Sequence, residues 1–514
     1  MALRLLLILM LCLGGCAQQW TREVSQALPP AASPFGQRLE RLASAHEGRS
    51  GFRLLPASDE AFIARLELIR AARSGLDLQY YIVHDGLSTR LLVDELLRAA
   101  DRGVRVRLLL DDLTSDGFDH EIGLLCAHPN IQARVFNPLH LGRATGVTRL
   151  IGRSLNLARQ HRRMHNKLWL ADSSAAIVGG RNLGDEYFDA EPSFNFTDID
   201  LLGVGPVAGE LAHSFDQYWN SALSKPIEQF LWRVPTRADL AQARRRLGAQ
   251  IAAAEADDNP LHQRLFDDRR QRRLKRWLDE LIWAPSLALW DAPSKILSGA
   301  EPDPQLLMAT QLAPEMQRIE QELLMVSSYF VPAKEGMVYL TAKADAGIDI
   351  RLLTNALEAT DVPPVHGGYA PYRKALLEHG IRLFELRRQP GDAGGGSAPY
   401  SLGSSASSLH SKAMVFDRRK AFIGSFNFDP RSVLWNTEVG VLVDSPELSE
   451  RVRQLILEGM APALAYEVRL DARGQLVWVT EDDGRPRTLD QEPGGFWRHL
   501  NTRVSDWIGL ERLL

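Results

Sequence analysis

The sequence is poor in cysteine, with three in 514 residues, and poor in long apolar runs. Cys12 and Cys16 lie together near the start and Cys126 stands alone, so no disulfide framework is available to hold the chain. No segment beyond the first residues reaches the roughly 18 uninterrupted apolar positions that a membrane-spanning helix needs. Net charge is lacking too: 60 Lys and Arg against 64 Asp and Glu leave −4, which gives no global attraction to nucleic acid. An anionic ligand must therefore be held locally. What is present, 45% hydrophobic and 24% charged residues, suits a folded, multi-domain chain.

The N-terminus reads MALRLLLILMLCLGGC: one early cation, Arg4, a short apolar run, then small residues up to Cys16. That is the layout of a signal peptide. LGGC also resembles the bacterial lipobox, whose cysteine is acylated after cleavage, and with Ala17 following Cys16 this implies an outer-membrane lipoprotein facing the periplasm. A cleaved secretory signal with an incidental cysteine is the alternative. Cys126, in an apolar run, reads as a small buried hydrophobe.

From about residue 51 one architecture occurs twice. Residues 76–83 alternate as a strand, a helical pattern opens at Ser88 and ends at Gly103, and 104–110 form another strand; 323–331, a helix ending at Gly347 and 348–354 repeat the order. Each is a β-α-β unit with a parallel crossover. His165 and His410 share one sequence offset with Gly179 and Gly424, and Gly103 and Gly347 differ from it by one residue. The expected fold is α/β, two duplicated β-α-β sandwich halves with one site at a pseudo-two-fold interface. The predicted divisions are a lipoprotein signal peptide at 1–15, a lipid-anchored tether at 16–50, a first half at 51–224, a connecting helical region at 225–300, a second half at 301–460 and a C-terminal extension at 461–514. The basic run at 269–277 reads either as a clamp for anionic headgroups or as a solvated helix face. The Gly/Ser-rich stretch 391–408 reads as a lid or a tolerated insertion.

The chemistry concentrates in HNKLWLAD (165–172) and HSKAMVFD (410–417), both H-x-K-x-x-x-x-D, each followed by a turn and a second apolar run that ends at Asn182 or Asn427. Each is a β-hairpin with His and Lys at its start and Asp at its turn. Two histidines, two lysines and two asparagines suit a phosphodiester. One histidine attacks phosphorus, the other protonates the leaving alkoxide and later deprotonates the acceptor. Lys167 and Lys412 neutralise the oxygens, to which Asn182 and Asn427 donate hydrogen bonds. Each histidine needs a carboxylate to fix its tautomer, and the candidates are Asp198, with Asp200 as a rival, downstream of His165, and Glu438 downstream of His410. No metal or cofactor is called for; His161, four residues before His165, is a weak metal partner because His165 begins a strand.

These paired motifs resemble the phospholipase D superfamily. LNLARQHRRMHNK, GGRNLGDEYF, GSFNFDPRS and LWNTEVG, with LQYYI, GVRVRLLLDD, SSYFVPA and VHGGYAPYRKALLEHGIRLFEL, resemble the C-type class of bacterial cardiolipin synthases. The resemblance implies His165, Lys167, Asp172, His410, Lys412 and Asp417 as catalytic residues, with His165 as attacker. It also implies transfer of a phosphatidyl group, from a donor such as phosphatidylethanolamine to phosphatidylglycerol. Phospholipid hydrolysis is the alternative. The partners expected are phospholipids and the membrane surface reached through the anchor, with no nucleic acid; an accessory protein is left open. Asp361, His366, Tyr369 and Tyr372 read either as headgroup-pocket residues or as packing. Trp497, Leu500, Val504, Trp507 and Ile508 form an apolar helical stripe, read as docking on the core ahead of lying in a membrane interface.

Overall fold

The computed structural model describes residues 23–112, 118–138, 161–299, 301–388 and 407–495. Two mixed sheets carry the chain. The first runs, edge to edge, Ile282–Ala284, Ser50–Leu55, Asp200–Val204, Ala175–Gly179, Leu168–Ala171, Gly75–Tyr80, Arg105–Asp111, Ile131–Phe136 and Ser224–Pro226. The second runs Ser286–Trp290, Val439–Asp444, Lys420–Gly424, Lys412–Phe416, Glu322–Ser327, Asp349–Asn355, Arg382–Leu386, Ala465–Leu470, Leu476–Asp482 and Arg485–Leu489. From Ser50–Leu55 matched with Ser286–Trp290, the two orders coincide as far as Ser224–Pro226 and Ala465–Leu470. The directions coincide as well. Within these two sheets, among the described residues, only the β-α-β strands pair in parallel, Gly75–Tyr80 with Arg105–Asp111 and Glu322–Ser327 with Asp349–Asn355, each continuing to a third parallel strand. The predicted duplication is therefore present strand by strand, and its linking helices, Leu87–Asp101 and Ala333–Asp345, both lead into a glycine at φ 91°.

The strands are apolar on both faces because both faces are covered. Along Leu168–Ala171, Leu168 and Leu170 enter a central core while Trp169 and Ala171 enter the outer core of the first half. In the second half Leu324 and Val326 point to the same central core, and Leu323 and Met325 to a third. That central core also holds Val178, Ala413 and Val441. Side chains from both sheets thus share one interior, each contributing roughly 1.5–3 kcal/mol when fully buried, and this welds the halves. A short parallel pair, Asn195–Thr197 with Ser407–Leu409, joins them at a second place.

Three expected boundaries shift. The tether does not extend to residue 50: Pro34–Ser44 is a helix, capped by Ser33 and anchored by fully buried Leu39. Upstream, the Ser25 N–H donates to Asn220 and the Ala27 N–H to Asp216, so the chain from Glu23 onward belongs to the folded body. The connecting region is not wholly helical either. After Arg237–Glu255, Pro260–Arg270 and Leu274–Asp279 it gives Ile282–Ala284 to one sheet and Ser286–Trp290 to the other. The C-terminal extension continues the second sheet through residue 489.

The basic run is an ion-paired surface: Arg269 reaches Asp94 and Glu95, Arg270 reaches Glu255 and Asp267, and Arg273 reaches Asp59. The signal peptide with Cys16, nearly all of 391–408, and the stripe from Trp497 lie outside the described residues. Among the described residues no helix is long and apolar enough to cross a membrane.

Candidate active site

Both hairpins form as expected, Leu168–Ala171 with Ala175–Gly179 and Lys412–Phe416 with Lys420–Gly424. Their turns are left-handed at two successive residues, Asp172 and Ser173 (φ 50° and 53°) and Asp417 and Arg418 (50° and 56°), a conformation that Asp tolerates better than most residues. The turn also places the aspartates at the far end of the strand from His and Lys, and this corrects their assignment as catalytic. Asp172 accepts from the backbone N–H groups of Arg73, Ser74 and Gly75 and from the Ser33 hydroxyl. Asp417 accepts from those of Glu320, Gln321 and Glu322. Each fastens the hairpin to the start of the neighbouring strand and positions the His–Lys segment without touching the reacting atoms.

The histidines cross between halves. The His165 backbone N–H donates to Thr437 O at 2.9 Å and the His410 N–H to Thr197 O at 2.8 Å. The residues after those threonines are Glu438 and Asp198. His165 Nδ1 accordingly lies 3.0 Å from Glu438 Oε2, and His410 Nδ1 lies 2.8 Å from Asp198 Oδ2. Both candidate carboxylates are thus in the site, but each serves the histidine of the opposite half, not the one it follows in sequence. Asp200, the rival to Asp198, is paired with Arg65 at 2.9 Å and Arg181 at 3.5 Å. Strand parity fails to separate them because residues 198 and 199 fall between two strands, Asn195–Thr197, which pairs with the second half, and Asp200–Val204 of the first sheet. Gly180 permits the approach, since a Cβ there would sit 2.4 Å from the Asp198 carboxylate.

Lys167 Nζ donates to His165 O at 2.7 Å and lies 5.3 Å from the Tyr81 ring. Lys412 Nζ donates to Ser328 Oγ at 2.9 Å and to His410 O. An ammonium has three donors, so capacity for phosphate oxygens remains. Burial, with the charges of both lysines, holds each imidazole well below its ordinary range, so both histidines rest neutral. His410 also feels His165, and His165 feels Arg431, which places all these groups in one field. Burial pushes Glu438 up to about 7 and Asp198 up to about 6, against the pull of Lys167 and Lys412 respectively. Burial likewise lowers Lys412 to about 8 and Lys167 well below its usual value. A neutral imidazole whose Nδ1–H faces a carboxylate presents a free Nε2 lone pair, the form needed for attack on phosphorus.

Asn182 gives one N–H of its Nδ2 to the Tyr187 hydroxyl at 2.8 Å and accepts from the Ile82 N–H, which leaves its second N–H as the donor for phosphate. Asn427 accepts from Ser328 Oγ, the group that also meets Lys412. Asp361 accepts from the Tyr329 hydroxyl, and its charge acts on His410 and Lys412. His366 and Tyr369 are packing residues, Tyr369 edge-on to Phe330, and Tyr372 packs beside them on the second outer core. His366 lies with Glu385 and Glu492 in the arrangement of a metal site, but Arg373 occupies it, 2.7 Å from Glu385 and 2.5 Å from Glu492. Against burial, His366 and Arg373 draw Glu492 down to about 2. His161 sits in a turn.

Several site residues went unread in the sequence. Tyr81 stands edge-on to His165 with ring centroids 5.0 Å apart, and Tyr187 and Phe196 stand against His410 at 5.6 and 5.0 Å. Ser425 and Ser432 donate to Glu438, and Asp291, itself held by Lys295 at 2.9 Å, accepts the Glu438 N–H at 2.8 Å. The serines lay in view, within GSFNFDPRS; Asp291 carried no signal because its segment is remote in sequence.

Comparison with known proteins agrees with this geometry. The family model for the cardiolipin synthase, phospholipase D-like domain matches twice, at residues 66–219 and 312–458, once in each half. Cardiolipin synthase C of Escherichia coli (strain K12) is 36% identical over 92% of this chain and 98% of its own length. A cardiolipin synthase of Staphylococcus aureus (strain Mu50) is 24% identical over 84% of this chain and 71% of its own. Among solved structures, the phosphatidylserine synthase of Haemophilus influenzae shares the fold with a TM-score of 0.57 at 14% identity, covering 93% of this chain and 99% of that one. A duplicated domain match, a full-length relative and two crossed His–Lys hairpins in one buried site establish that this chain belongs to the cardiolipin synthase family of phospholipase D-like proteins.

Proposed function

We propose that the chain is a phospholipase D-type cardiolipin synthase that transfers a phosphatidyl group to phosphatidylglycerol, with phosphatidylethanolamine as donor, through a phosphohistidine. The observation that carries this is the crossed pair of neutral histidines, each facing a buried carboxylate, with two lysines between them. His165 Nε2 attacks phosphorus, the bond to the donor headgroup oxygen breaks, and that oxygen takes a proton from His410. The acceptor hydroxyl then gives its proton to His410 and attacks phosphorus, and the phosphorus–nitrogen bond breaks to release His165. The arriving phosphodiester anion offsets the lysine charges that hold His410 down, which favours its protonated form when substrate is bound. Lys167 and Lys412 stabilise the charge that grows on the non-bridging oxygens. Anchoring by acylation of Cys16, on the periplasmic side of the outer membrane, belongs to the same proposal and rests on the LGGC sequence; loss of radiolabelled palmitate from Cys16→Ser would support it, and retained label would reject it.

The test is incubation of the full chain with vesicles of phosphatidylglycerol and phosphatidylethanolamine, products being read by mass spectrometry. Cardiolipin that disappears in both His165→Ala and His410→Ala is expected. Phosphatidic acid alone would replace the transferase reading with a hydrolase, and no turnover of either lipid would overturn both.

A further inference from the structure

On the outer face of the first sheet a cavity of about 380 Å³ opens between the helices Leu87–Asp101, Asp119–Cys126 and Arg237–Glu255. Val93, Leu97, Ile122, Leu125 and Leu247 wall it, and Leu110 of the sheet lies beneath. The lining runs along the first helix from Thr89 to Leu97, about 12 Å at 1.5 Å per residue. Its basic side chains are already paired, and the buried Thr89 hydroxyl has no hydrogen-bond partner. Arg90 is paired with Asp85 at 2.6 Å, His84 with Glu186 at 2.6 Å and Arg244 with Asp101. Nothing there calls for a charged ligand, and the volume lies at the small end of ligand pockets, enough for one slender apolar group.

The cavity lies one short loop from residues that face the histidines. Its lining residues Val83 and His84 follow within three positions of Tyr81, whose ring faces His165. Val83 pairs with Leu183, and the His84 N–H donates to Leu183 O at 2.8 Å, one residue beyond Asn182. Four residues further along the same loop, Tyr187 stands against His410. A lipid whose phosphate lies between the histidines therefore has one short loop to cross before an apolar hole. Among the described residues the second half has no such cover: on its matching helix Val338 is 64% exposed, and the described connecting helices pack on the core of the first half.

Resting on the reading of the site as a phosphatidyltransferase, we infer that this cavity binds one acyl chain of the phosphatidyl group carried by His165. Each buried methylene alters affinity roughly fourfold, so the cavity makes the enzyme selective for chain length.

The test uses the full chain in mixed micelles of phosphatidylglycerol and phosphatidylethanolamine, the phosphatidylethanolamine bearing a photoactivatable diazirine at the end of one acyl chain, in the wild type and in His165→Ala. Label should concentrate on peptides from 87–101 and 237–255 in both proteins. Label spread over other surfaces, while the wild type still makes cardiolipin, would overturn the cavity but leave the transferase reading intact. Label in these helices without any cardiolipin would keep a lipid-chain site and reject the transferase. As a second measurement, Val93→Trp, which fills the hole, should reduce the ratio of dipalmitoyl to dioctanoyl phosphatidylethanolamine turnover by about tenfold. An unchanged ratio in a variant that melts like the wild type would contradict the inference.

Discussion

The two halves share a strand order and a hairpin, yet they hold their carboxylates differently. Glu438, which orients His165, receives two serine hydroxyls, and its backbone is tied to the buried Asp291–Lys295 pair. Asp198, which orients His410, takes the Ile199 N–H at 2.8 Å and lies against Gly180. The backbone symmetry supplies two equivalent stations; the side chains around them make one stiffer than the other. A carboxylate locked by several donors keeps its imidazole in one pose, which suits the station that carries a covalent group. A less tied carboxylate suits the station that takes up and returns a proton. This difference supports His165 as the nucleophile in the proposed cycle.

The largest losses are expected at the histidines. Each of His165→Ala and His410→Ala should lower the cardiolipin-forming rate by on the order of 10⁴, and the double variant should be little worse, because groups acting as a unit are not additive. Initial rates check this; a fully additive double loss would mean that the halves work separately. Sharper is the pair of carboxylate variants. Glu438→Gln should cost on the order of 10³ and Asp198→Asn about tenfold less, since the tautomer of His165 depends on the more heavily bonded partner. Equal kcat losses would erase the asymmetry.

Most of this site was legible because hairpin chemistry is local. His165, Lys167, His410 and Lys412 could be read from spacing, and both turn aspartates could be placed by their offset. Asp198 and Glu438 were visible as residues but not as partners. Their crossing depends on Thr197 and Thr437 pairing with the other half's histidine segment, a contact that no sequence distance reports. The helix inside the expected tether did carry signals, Ser33 before Pro34 and apolar Phe35, Leu39 and Leu42 at helical spacing, which the prolines of the segment masked. The edge strand Ile282–Ala284 is too short to show a period.

The turn aspartates extend the comparison to stability. Asp172 is buried and holds three backbone N–H groups and Ser33, whereas the partners of Asp417 are largely exposed to water. Asp172→Ala should therefore cost about 3 kcal/mol and Asp417→Ala about 1 kcal/mol, because only buried donors left unpaired bear the full penalty. Urea midpoints decide it, and equal shifts would contradict the packing difference. The smallest effect concerns pH. Lys412, lowered to about 8 by burial, loses its charge as pH rises through that value, so kcat/KM should fall about tenfold per pH unit above it. Lys412→Arg, which stays charged, should remove that limb even if it lowers the maximum; a limb that persists would assign it to another group.

A single shared site requires the crossing of the carboxylates. Nitrogen-15 NMR of histidine-labelled full chain reports the tautomer of His165 and His410 directly, with each signal assigned through its alanine variant. Glu438→Gln should disturb the His165 ring nitrogens and leave His410 as it is, and Asp198→Asn should do the reverse. A change at His410 on Glu438→Gln would show that each carboxylate serves its own half, and would contradict the single, crossed site described here.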